Sequence, residues 1–256
     1  TTQKKFKIKS LLKKKTIRLL IPFLLIGLFY LIPIRFIANY PPYESTSLIR
    51  IIYSFLTVND CGHLWFLPTL LGIFIIATVL IRMTKSKQST LICIVLMLYI
   101  LSPYLSSFLL ITSTKYLFFF FMGYFINQYG KQIFSIKAIY HGLATLGILL
   151  IAYVLIFHNE NRVVTTFTSI TIIASLYYFM PHRTNRFILW LDKNSFGIYL
   201  FHSPLMYIIM NKFSIIAPPA ILVPMNLIFG IGGSLIITYF LRAIKCSFVI
   251  GEKNDR

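Results

Sequence analysis

The residues best suited to chemistry lie in or beside long apolar runs, where an ionisable group is costly and so marks a function or a required partner. The first set is Asn59-Asp60-Cys61-Gly62-His63-Leu64-Trp65-Phe66-Leu67-Pro68. His63 near Asp60 reads as an imidazole oriented by a carboxylate, the arrangement a general base needs to take a proton from a hydroxyl. From spacing alone the commoner role of such a residue is a helix-capping or interfacial one, with Trp65 an ordinary boundary anchor. The second set is Ser195-Phe196-Gly197-Ile198-Tyr199-Leu200-Phe201-His202-Ser203-Pro204. His202 falls about two helical turns into an apolar run, so it faces protein or a water-filled cavity rather than lipid. Tyr199, three residues earlier, shares its face. The plain alternative is that His202 donates to a backbone carbonyl freed by Pro204. The third set is Lys13-Lys14-Lys15-Thr16-Ile17-Arg18. It is either a topology signal touching anionic lipid or a cationic site for the phosphates of a donor such as coenzyme A.

The elements that carry these residues follow from composition. Of 256 residues, 57% are hydrophobic and 12% charged, with a mean hydropathy of +0.79, which is too apolar for one soluble core. Continuous runs rather than ten-residue alternation point to helices, not a β-barrel. Eight spans are predicted, near 19–37, 64–81, 91–111, 115–129, 138–157, 163–180, 196–212 and 220–241. The expected architecture is an all-α membrane bundle, one polytopic domain over 1–256 with both termini cytoplasmic. Residues 1–18 form a basic cytoplasmic arm, and 38–63 form a long outer loop with a short amphipathic stretch near Leu48–Leu56. A second short amphipathic helix is expected at the inner interface over Arg183–Lys193.

Charge sets the orientation. With eight spans, 20 Lys and Arg lie inside and five outside (Arg35, Arg50, Lys115, Arg162 and Lys212). Merging the third and fourth spans would give 13 against 11 and leave Lys115 in the membrane. The net charge of +19 therefore reports membrane topology, since the basic residues punctuate apolar runs instead of forming a nucleic-acid patch. Cys61, Cys93 and Cys246 form no disulfide framework, and no metal-ligand spacing appears. There is no glycine-rich phosphate loop, nucleophile elbow or pair of intramembrane carboxylates.

Gly62-His63-Leu64-Trp65-Phe66-Leu67-Pro68 resembles the signature of the acyltransferase 3 family of bacterial integral membrane acyltransferases. Phe119-Phe120-Phe121-Met122-Gly123-Tyr124 is similar to that family's short aromatic span, and Ser195–Pro204 to its late Tyr-Leu-x-His-x-Pro element. Lys15-x-x-Arg18 resembles the Arg-x-x-Arg entry to its third helix, with lysine replacing a bidentate arginine. Family members usually have ten spans and an essential histidine in the first. The chain has no histidine before His63, so the resemblance implies that it begins just ahead of the third span.

What the resemblance implies is transfer of an acyl group, typically acetyl, from cytoplasmic acyl-CoA to a hydroxyl of a cell-surface glycan, in the bacterial inner membrane. His63, Asp60 and His202 become the catalytic candidates. Lys15, Arg18 and Arg82 would hold the donor, and Trp65 and Tyr199 the substrate; no metal is expected. Membrane lipids, the glycan acceptor and acyl-CoA are the expected partners, and nucleic acid is not. A polysaccharide or small-molecule transporter is the alternative, against which stands the lack of an internal repeat.

Overall fold

The computed structural model describes residues 8–84, 87–133, 142, 146–151, 153, 162–179 and 185–252. It is all-helical, with no strand among the described residues. The chain divides into two compact units, one of Thr1–Phe120 with Trp190–Arg256 and one of Phe121–Leu189.

The first unit opens with α1 (Ile8–Ile26), a π-turn over Gly27–Leu31 and α2 (Ile32–Ile37). Pro33 in α2 withholds the N–H that would bond Phe29 O, and the wider turn lies just before it, as irregular backbone does on the N-terminal side of a proline. Gly27 in that turn meets the ring of Phe55, where a Cβ would lie 1.9 Å from Phe55 Cζ. Phe55 also stacks on Phe23 with centroids 4.6 Å apart. These contacts pin α4 (Leu48–Leu56) to α1, after the short α3 (Pro41–Glu44). The opposite face of α4 is bare, with Ile49 83% and Tyr53 66% exposed, as in a helix lying in a membrane surface. The amphipathic stretch expected at Leu48–Leu56 is this helix.

A 3-10 turn over Gly62–Trp65 leads into α5 (Phe66–Met83), followed by α6 (Gln88–Leu101), a 3-10 turn at Ser102–Tyr104 and α7 (Phe108–Ile133). Ser102-Pro103, which interrupts the third predicted span, ends α6 short of 111, and the next helix starts at Phe108 rather than 115, because Pro103 is tolerated in a first turn and not inside a helix. Residues 108–129 then run as one helix. Thr69 and Thr112 share a hydroxyl hydrogen bond of 3.0 Å, and Gly72 lies against Ser113, which brings α5 and α7 into close contact.

After α8 (Arg162–Phe179), α9 (Arg186–Phe213) runs unbroken through both the expected interfacial helix and the expected seventh span. α10 (Pro219–Ala243) buries Leu222, Asn226, Gly230, Ser234 and Thr238 at every fourth residue. Its outward side is apolar: Ile228, Ile236 and Phe240 are 60–71% exposed, whereas Ser234 and Thr238 are fully buried. This inversion of a soluble helix is the packing expected in lipid, where small and polar residues form the contacts. Gly197 of α9 gives way to Thr238, leaving no room for a Cβ (2.2 Å to Oγ1). A last 3-10 turn, Ser247–Ile250, brings the C-terminal segment back to α1. There Gly251, at φ +67°, approaches the Arg18 carbonyl, and Arg242 binds Glu252 at 2.6 Å. The C-terminal segment thus packs against the middle of α1 at Arg18.

In the second unit, the helical residues 146–151 lie against α8, where Gly147 faces the buried Thr171. Among the described residues four helices are long and apolar enough to cross a membrane: Leu12–Ile37, Gly62–Met83, Phe108–Gln128 and Pro219–Ala243. Gln88–Tyr104 and Val164–Ile173 are shorter apolar helices. The span predicted at 138–157 lies largely outside the described residues, as do His141, His158 and His182.

Candidate active site

The centre of the site is built by a proline. Pro204 in α9 has no N–H, so the carbonyl of Leu200, four residues earlier, loses its helical donor. The imidazole of His63 fills the gap, with Nε2 3.0 Å from Leu200 O. A carbonyl can only accept, so Nε2 carries the proton and Nδ1 presents a lone pair. That Nδ1 is buried and has no hydrogen-bond partner among the described residues. One residue along α9, the Tyr199 hydroxyl donates to the main-chain carbonyl of His63 at 2.6 Å. Two consecutive residues of α9 therefore hold both the backbone and the ring of His63.

His202 does not take the carbonyl freed by Pro204. Its Nδ1 donates within its own helix to Ile198 O and Tyr199 O, each at 2.9 Å. The rings of His63 and His202 lie 5.2 Å apart, and those of His63 and Tyr199 5.7 Å. His63, Tyr199 and His202 thus form one cluster, although 136 residues separate the first two in sequence.

Asp60 is placed differently from the expected imidazole–carboxylate pair. Its Oδ1 binds Arg35 Nη1 at 2.8 Å. Arg35 is 2% exposed in an apolar run, and a guanidinium so placed requires a counter-charge. Its Nη1 also donates to the Tyr43 hydroxyl at 3.1 Å, and the rings of Tyr40, Tyr43 and Tyr207 surround it at 4.5–5.6 Å. Burial raises the Tyr43 phenol above its ordinary pKa, which keeps it neutral beside Arg35. Gly62, at φ +52°, turns the chain so that Asp60 points to Arg35 while His63 points to α9. A Cβ at Gly62 would lie 2.7 Å from Arg35 Nη2. Sequence reasoning counted Arg35 as an outer-loop charge. Its signal was an arginine shortly after Pro33 with tyrosines at 40 and 43.

A cavity of about 450 Å³ opens beside this cluster. Lys15, Arg18 and Ser195 supply its polar wall, while Leu67, Phe66, Phe74, Phe196 and Tyr199 are among its apolar and aromatic lining. Lys15 Nζ sits 4.9 Å from the Phe74 ring and Arg18 5.9 Å from that of Phe196. Arg82 is exposed on α5, eight residues beyond Phe74, and does not line the cavity. Trp65 packs instead on Phe66, Phe108 and Tyr116. A second cavity of about 350 Å³ lies beside α4, lined by residues including Arg50, Ser54 and Asp60. Among the described residues no group of three or more His, Cys, Asp or Glu stands close enough to hold a metal ion.

Apolar surfaces turned outward, buried polar stripes and clustered histidines define an all-α integral membrane protein with an interior site. The chain belongs to the acyltransferase 3 family, whose model, described as an acyltransferase domain, matches residues 1–243. It is a membrane acyltransferase. No curated protein and no solved structure matches the chain.

Proposed function

We propose that the protein moves an acyl group, acetyl in the first instance, from acyl-CoA to a hydroxyl of a cell-surface glycan, in a bacterial inner membrane. The observation that carries this reading is the meeting of Lys15, Arg18 and Tyr199 in one cavity, with Tyr199 bonded to the backbone of His63. The positive-inside rule puts the mouth of that cavity in the cytoplasm. Lys15 and Arg18, three residues apart on α1, present two cations to the donor's phosphates, and the aromatic wall accepts the arm that carries the thioester.

His63 is the general base of this proposal. Its buried, unprotonated Nδ1 accepts the proton of the attacking hydroxyl. The hydroxyl oxygen bonds to the thioester carbonyl carbon and the carbon–sulfur bond breaks. The thiolate leaves and takes the proton back from His63, so charge and atoms balance. Tyr199 holds the His63 backbone in place, and His202 completes the polar lining of the cluster.

The test is paired. Arg18→Ala should weaken binding of radiolabelled acetyl-CoA about tenfold or more, since a charged contact is lost. His63→Ala should leave that binding intact and lower acyl transfer by at least about a hundredfold. Transfer that persists in His63→Ala, or donor binding indifferent to Arg18, would overturn the proposal.

A further inference from the structure

The second cavity stands apart from the donor cavity, beside the far end of the α1–α2 run. Arg18 lines one cavity and Arg35 pairs with a wall residue of the other, about 25 Å further along the helix axis at the ordinary rise per residue. At about 350 Å³ it falls within the usual range for a ligand site.

Some of its polar groups are engaged in the fold and others are left over by it. Arg50 and Ser54 stand one turn apart on α4, whose buried residues Ile51 and Phe55 anchor the helix below them. Asp60 gives Oδ1 to Arg35, which fixes the carboxylate in place. Among the described residues no hydrogen bond reaches Asp60 Oδ2 or Ser54 Oγ, and Arg50 makes no ion pair. The Tyr43 phenol accepts from Arg35, and its own O–H remains as a donor. The cavity therefore offers a carboxylate, a two-way hydroxyl and a guanidinium without an ion pair among the described residues. Carboxylate and hydroxyl partners suit a polyhydroxylated ligand, and an unpaired guanidinium beside them suits a negative group on that ligand.

We infer that this cavity is the acceptor subsite and that it selects a sugar unit carrying a negative charge, with Arg50 reading the charge and Asp60 and Ser54 the hydroxyls. The inference rests on the acyltransfer reading for its role. Its recognition chemistry is independent of turnover.

The experiment uses the full chain in phosphatidylcholine nanodiscs, with methyl glucuronide and methyl glucoside as probes and saturation-transfer NMR as the readout. Wild type should bind the glucuronide at least about tenfold more tightly, the factor expected for a hydrogen bond to a charged group. Arg50→Gln should remove that preference, and Arg50→Lys should restore part of it. Arg50 is exposed, so neither change should alter the melting temperature. Equal affinity for the two probes, or a preference that survives Arg50→Gln, would overturn the inference. So would loss of glucuronide binding on adding phosphatidylglycerol, which would assign Arg50 to a lipid headgroup. Acetyl-CoA binding in the same discs separates the two proposals. Donor bound without sugar selectivity removes the acceptor subsite alone; selective sugar binding without donor binding removes the acyl-donor reading alone.

Discussion

At the scale of single residues, the site depends on a division of labour within four consecutive positions. Asp60 neutralises Arg35, Cys61 is buried, Gly62 turns the chain, and His63 reaches α9. Burial, with the Asp60 carboxylate beside it, pushes the Cys61 thiol up to about 12. The thiol is raised, so its neutral form persists in the folded state while an unfolded chain ionises near pH 8.5. Stability from this group is complete below that pH and falls as the pH climbs toward 12. Cys61 should therefore resist a maleimide at pH 7.5 over a time in which a free thiol is fully modified. Peptide mass spectrometry reads this directly. Rapid labelling of Cys61 would mean that the segment carrying His63 is open rather than packed.

Among elements, α9 has the decisive irregularity. A proline inside a helix costs about 3 kcal/mol relative to alanine, and here the carbonyl it frees becomes the anchor of His63. Pro204→Ala would restore an N–H able to claim Leu200 O, in competition with His63 Nε2. The expected outcome is a melting temperature equal to or above that of wild type, with acyl transfer reduced about tenfold, the scale of one displaced hydrogen bond. The pH profile of transfer should shift with it, which a purely structural role for Pro204 would not cause. Unchanged transfer and an unchanged profile would show that the Leu200 bond does not position the imidazole. The contact between α9 and α10 has the opposite character. It is smooth and close, because Gly197 and Gly230 leave space that Thr238, His202 and Met206 occupy.

For the molecule as a whole, the first unit presents two cavities, one bordered by Lys15 and Arg18 and one by Arg50 and Asp60. The C-terminal turn packs against α1 beside Arg18, at the end of the unit that holds the Lys15–Arg18 cavity. In the orientation proposed from the excess of Lys and Arg, that end faces the cytoplasm. A membrane-impermeant thiol reagent applied to intact cells should modify Ser45→Cys fully and Lys14→Cys only after permeabilisation, both positions being exposed. The reverse pattern would invert the orientation and exchange the sides assigned to donor and acceptor.

The sequence alone determined the class of this protein, because continuous apolar runs, scarce charge and punctuating basic residues have one physical solution, a helical membrane bundle. It also picked out Lys15, Arg18, His63, Tyr199 and His202, since each is a polar group at or within an apolar stretch. Tertiary structure alone decided which of them meet. Adjacency in sequence pointed Asp60 at His63, but the stronger demand came from a buried guanidinium 25 positions away in the chain. Arg82 and Trp65 share the chemistry of the chosen residues and yet line neither cavity. Their fate turned on which helix faces pack together, and that is a property of the assembled bundle. The anchor of His63 was hidden for the same reason: Pro204 announces a free carbonyl, and only the fold names the group that fills it.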